Sequence, residues 1–127
     1  MYSSHKNSGF TLPEVLIAIV VLMIGLLGVA GLTVTVIRGN VFSKQMTTAV
    51  TLASDQMERI KMLGFAGTVS TDTITTEDYG SLPDFSPYKR TTSFAVHNPI
   101  LGMKMVTVTV FWDADEHKVE LRTMLAE

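Results

Sequence analysis

The chain has 127 residues, enough for one folded domain beside an anchoring segment of about 30 residues. Hydrophobic residues make up 46% of it and charged residues only 17%, which excludes a disordered chain. A net charge of -2 with ten dispersed Lys and Arg residues gives no footprint for nucleic acid, and the absence of cysteine excludes disulfides, thiol catalysis and thiolate metal sites.

Residues 1–9 are polar, with Lys6 and the amino terminus as firm positive charges, and are expected to be a leader peptide with a cytoplasmic N-terminus. Arg38 and Lys44 beyond the following apolar run weaken that charge bias. Thr11-x-x-Glu14 is a capping-box pattern in which Thr11 is the N-cap, Glu14 lies at N3, and Phe10 with Val15 forms a hydrophobic staple. Pro13 is tolerated in that first turn, where its missing N–H is one of four donors without a helical partner. A carboxylate there also suits the helix dipole.

From Val15 to Ile37 there are 23 consecutive residues without a charge, enough to span about 30 Å of hydrocarbon as a helix. A soluble core helix so uniformly apolar would need partners on every side, and fewer than 100 residues remain to supply them. Two forms of processing are compatible with this segment. A secretory signal would use Gly28-Val29-Ala30 as a small-x-small cleavage site and release a soluble domain. Alternatively, the cut falls before the apolar run and the helix is kept.

The string Gly9-Phe10-Thr11-Leu12-Pro13-Glu14-Val15, preceded by a polar leader and followed by the apolar run, resembles the class III signal of type IV prepilins and type II secretion pseudopilins. The resemblance implies that a prepilin peptidase cuts after Gly9, that the new amine of Phe10 is methylated, and that Glu14 supports assembly. Pro13 departs from the aliphatic residue more usual at its position. Gly25, Gly28 and Gly31 recur every third residue and place small side chains close together on the helix surface, but they do not form GxxxG.

Phe42, Met46, Ala49, Val50, Ala53, Met57 and Ile60 repeat at steps of three and four, an amphipathic stripe opposite Lys44, Gln45, Thr48, Asp55 and Arg59. Gly64 is the expected C-cap after Leu63. Unless Gly39-Asn40 interrupts it, the helix over 11–63 is one rod of about 80 Å. Residues 66–88, rich in Thr, Ser, Gly and Asp, read as an irregular connection pinned by Tyr79, Phe85 and Tyr88. Three strands are predicted after it, Lys89 to His97, Met103 to Trp112 and Lys118 to Leu125, with a hairpin turn at Asp113 to Glu116. Val106, Val108, Val110 and Trp112 share one face of the second, and Val119, Leu121, Thr123 and Leu125 one face of the third.

The expected fold is therefore α+β and pilin-like: a long N-terminal helix, transmembrane in its first half, packed on a small antiparallel sheet of about three strands. Residues 10–38 form the transmembrane and assembly half, and residues 39–127 a periplasmic or extracellular head. The segment around Leu52-Ala53-Ser54-Asp55-Gln56-Met57-Glu58 resembles PilV-type minor pilins, and the closing strands resemble a minor pseudopilin. His5, His97 and His117 lack metal-ligand spacing, and Asp113, Asp115 and Glu116 read as an Asp-rich turn ahead of a calcium site, so no metal and no cofactor are expected. No GxSxG, P-loop or dinucleotide glycine pattern is present, and an enzyme is not expected. The expected role is a structural subunit of a type IV pilus, made as an inner-membrane precursor, with other pilin subunits and the prepilin peptidase as partners. The alternatives are a minor pseudopilin of a type II secretion system and a monomeric, membrane-tethered binding domain.

Overall fold

The computed structural model describes residues 9–127. Lys6 and His5 of the expected leader lie outside the described residues. The chain divides into two units, one ending at Val41 and one running from Phe42 to Glu127. Helix α1 spans Leu12–Gly67 and contributes to both.

In the first unit the apolar side chains from Val15 to Ile37 are exposed on every face of α1, with no part of the unit packed against them. By length and composition this helix qualifies to cross a membrane. The hydroxyls of Thr33 and Thr35 donate to the carbonyls of Val29 and Gly31, at 3.0 and 3.2 Å, so neither presents an unpaired donor along the apolar run. Gly39 and Asn40 are helical, and the considered interruption is absent. A glycine there costs about 1 kcal/mol relative to alanine, too little to end a helix supported on both sides.

In the second unit α1 is broken at Gly64, whose φ of 67° and ψ of -175° leave the helical region. That is the expected stop after Leu63, and a last turn to Gly67 follows it. The rest of the unit is an antiparallel meander in the order β1-β2-β3-β4, with β1 Thr73–Glu77, β2 Tyr88–Val96, β3 Met103–Trp112 and β4 His117–Ala126. The fold is thus α+β and pilin-like, with four strands where about three were expected. The additional strand, β1, lies inside the segment read as irregular. Its sequence Thr-Ile-Thr-Thr-Glu is β-branched but has no apolar alternation, because Ile74 is 73% exposed on an outer strand and no apolar face of β1 is buried.

The core joins the helix-facing side of β3, where Val106, Val108 and Val110 are fully buried and Trp112 nearly so, to Ala49, Leu52, Ala53, Met57 and Ile60 of α1. Leu82 and Tyr88 complete it. The helical stripe differs from the expected one: Leu52 belongs to it, whereas Phe42, Met46 and Val50 remain substantially exposed. Ala49 and Ala53, both at 0% exposure, let the helix backbone come close to the sheet, and the contact strip is correspondingly narrow. The β4 alternation holds, but its inward row of Val119, Leu121, Thr123 and Leu125 is only half-buried.

Because this core is internal to the second unit, residues 40–127 produced alone are expected to be soluble and to melt cooperatively, with circular dichroism showing both helix and strand. Persistent aggregation or a non-cooperative melt contradicts this packing.

Candidate processing and assembly segment

The segment around Gly9 is built by the start of α1. Thr11 precedes the first helical residue, and its carbonyl accepts from Val15 N–H at 3.2 Å, closing the first turn. The Glu14 carboxylate reaches back to Thr11 N–H at 3.5 Å, a long bond that forms one half of the capping box. Pro13 falls second in the helix, where no intrahelical donor is needed. Gly9, Phe10 and Glu14 are all exposed, Phe10 to 83%. Glu14 shares a shallow apolar recess with Phe10, Val15, Ala18, Ile19 and Leu22. The arrangement leaves the Gly9–Phe10 bond accessible outside the helix and sets one carboxylate a turn further on, at the edge of a wholly apolar surface.

The acidic turn in the second unit is engaged in structural contacts. Asp113, Ala114 and Asp115 have φ of 56°, 54° and 69°, a left-handed run that side-chain and backbone bonds hold in place. Tyr79 Oη donates to Asp115 Oδ1 at 2.9 Å and accepts from Asp115 N–H at 3.0 Å, while Lys89 Nζ donates to Asp115 Oδ2. This pins the β1–β2 connection to the β3–β4 turn, the role expected of Tyr79. The Lys89 bond, then the Tyr79 bond, lowers the Asp115 carboxyl below its ordinary value, and the bond to Asp115 raises the Lys89 amine. Among the described residues, no group of three His, Cys, Asp or Glu side chains is placed to hold a metal. His97 lies in the turn after β2, and the His117 ring packs edge-on against Phe42 at 5.2 Å.

The tie has a defined pH window. A carboxyl lowered on folding contributes stability that is present above its unfolded value near 3.9 and disappears as pH falls through the folded one. An amine raised on folding contributes below its unfolded value near 10.4 and loses that contribution as pH rises through the folded one. Protection of the Asp115 amide from hydrogen exchange is therefore expected to be constant between about pH 4 and 10, after correction for intrinsic rates, and to fall on either side. Asp115→Asn should abolish the acid-side change.

Lys104 was not singled out by the sequence. It is 4% exposed, and its Nζ donates to the Phe65 carbonyl at 2.6 Å and to Thr68 Oγ1 at 3.2 Å, with the Phe65 ring centroid 4.1 Å away. It occupies the even-numbered, inward row of β3 directly before Val106, and that register is the signal that marked it. The amine binds the chain just past the Gly64 break to the sheet.

The prokaryotic N-terminal methylation motif, as a family profile, matches residues 4–30. No curated protein and no solved structure matches the chain. The matched stretch contains Gly9, Phe10, Glu14 and the uncharged run as far as Ala30, and this motif is the signal of type IV pilin-like and pseudopilin precursors.

Proposed function

We propose that the protein is a structural subunit, a minor pilin, of a type IV pilus. The observation that carries this reading is the coincidence of the methylation-motif match over residues 4–30 with an accessible Gly9–Phe10 bond and an apolar helix that finds no partner within its own unit. A prepilin peptidase removes residues 1–9 and the Phe10 amine is methylated. Before assembly, residues 10–38 hold the chain in the inner membrane with its N-terminus cytoplasmic, and residues 39–127 form the head on the far side. On assembly the same helix leaves lipid and packs against those of other pilin subunits, with Glu14 setting their axial register. The four-stranded sheet on the second part of α1 supports a role in presenting a head rather than in catalysis.

Mass spectrometry of the protein from membrane fractions tests this directly: the mature chain is expected to begin at Phe10 and to carry a methyl group on its amine. A terminus at Met1, or one at Gly31 as a secretory signal would leave, overturns the reading.

A further inference from the structure

Of the eight methionines in the chain, three stand together on the outward rows of β3 and β4, on the face of the sheet turned away from α1. The alternation that buries Lys104, Val106 and Val108 turns Met103 and Met105 the other way, two residues apart on one strand. Met124 is the direct cross-strand partner of Met105, and the Cβ atoms of such a facing pair lie about 4.5 to 5.5 Å apart. Met103 is diagonal to Met124, a separation of about 7 to 8 Å. Each sulfur sits two bonds beyond its Cβ on an unbranched, freely rotating chain, so three thioethers on a triangle of that size can meet at one point.

The surroundings leave these thioethers accessible. Met103 and Met105 are half-buried and Met124 is 60% exposed, so the sheet holds the three side chains while one side stays open. Met105 and Met124 line a recess of about 480 Å³ together with Arg122 and Thr123. Ala95 flanks Met105 on β2 and Ala126 faces Met103 on β4, so these rows bring no oxygen or nitrogen side-chain donor and little bulk. The Arg122 guanidinium is paired with Glu120, which lies one row further from the methionines. Leucine would cover the same surface equally well; what three methionines add is a set of soft, polarizable lone pairs.

We propose that Met103, Met105 and Met124 form a three-thioether binding site for Cu(I) on the outer face of the head. Soft, uncharged sulfur ligands select Cu(I) over Ca(II) and Mg(II), which take oxygen, and over Zn(II), which takes imidazole, thiolate or carboxylate. A monovalent ion also brings the smallest repulsion against Arg122 when its ligands carry no charge of their own. The site lies wholly within the second unit and does not rest on the filament reading.

The test uses the full chain in detergent micelles, isotope-labelled at its methionine methyl groups. It is titrated with Ag(I), a redox-inert stand-in, and separately with Cu(I) kept reduced by ascorbate in competition with a chromophoric Cu(I) chelator. With signals assigned by single Met→Leu substitutions, the methyl groups of Met103, Met105 and Met124 are expected to shift together and saturate at one equivalent, while those of Met46, Met57 and Met62 stay in place. Met105→Leu should weaken Cu(I) binding about tenfold or more, and the triple leucine variant should lose it. Because leucine conserves volume, circular dichroism and the thermal midpoint of these variants should stay near wild type. Met62→Leu, at an 80% exposed methionine of α1, should bind as wild type does, and Zn(II) should shift none of the three signals. His97, in the turn after β2, is the control for an imidazole ligand. No shift at the three methyl groups, saturation at other methionines, binding retained in the triple variant, or a loss in His97→Ala equal to that in Met105→Leu would each overturn the assignment.

Discussion

Glu14→Ala is expected to leave membrane insertion and cleavage after Gly9 unchanged while lowering incorporation into sheared filaments about tenfold or more. Glu14 is the single acid in the first turn of α1 and adjoins the recess formed by Phe10, Val15, Ala18, Ile19 and Leu22. A carboxylate at the bilayer centre costs about 2.5 to 3.5 kcal/mol on insertion scales and less near the interface, so the membrane stage tolerates it. The proposed processing after Gly9 would create a Phe10 amine one turn away, within the i to i+4 spacing of helix neighbours. In a packed filament core an unpaired charge is far more costly, and the amine of an adjacent subunit is the available partner. Processed protein in membranes is compared with protein in filaments for wild type and variant. Equal incorporation would reduce Glu14 to the helix cap made by its 3.5 Å bond to Thr11.

Lys104→Ala is expected to destabilise the head by about 2 to 4 kcal/mol, a large share of the 5 to 15 kcal/mol typical of a domain. The change removes the charged donor from the Phe65 carbonyl and the Thr68 hydroxyl, which keep only their own 3.0 Å bond to each other, a loss of about 1.5 to 3 kcal/mol for bonds made by a charged group. It also removes the cation from the Phe65 ring and the aliphatic stem from the core edge. Lys104→Met keeps the stem and isolates the amine's share, so a smaller loss of about 1 to 2 kcal/mol is expected. Urea midpoints at constant slope measure both. A neutral methionine variant would mean that desolvation of the ammonium cancels its bonds.

Regular periodicity made most of this fold legible. The 23 uncharged residues marked the apolar half of α1, and strict alternation located β3 residue for residue and β4 within one residue at each end. β1 was missed because an outer strand with both faces exposed carries no alternation to read. The helical stripe was misplaced at Phe42, Met46 and Val50 because apolar spacing does not reveal how narrow a contact two alanines make. Lys104 escaped for a related reason: a lysine on an inward row reads as an interruption until a carbonyl from a distant turn is brought to its amine. Around Gly9 the sequence alone carried the motif that the family profile matches over residues 4–30, since a linear motif depends on residues adjacent in the chain.

The single tryptophan of the chain is Trp112, 2% exposed at the end of β3, with its ring 6.3 Å from Phe42 of α1 and 6.5 Å from Tyr88. Among the described residues its indole nitrogen has no hydrogen-bond partner. A lone fluorophore in that position is a native gauge of the seam between helix and sheet. Its emission should be blue-shifted while the seam is closed and move to the red when it opens. Any displacement of the helix against the sheet on leaving the bilayer would therefore be visible in unlabelled protein, from a colour the molecule already carries.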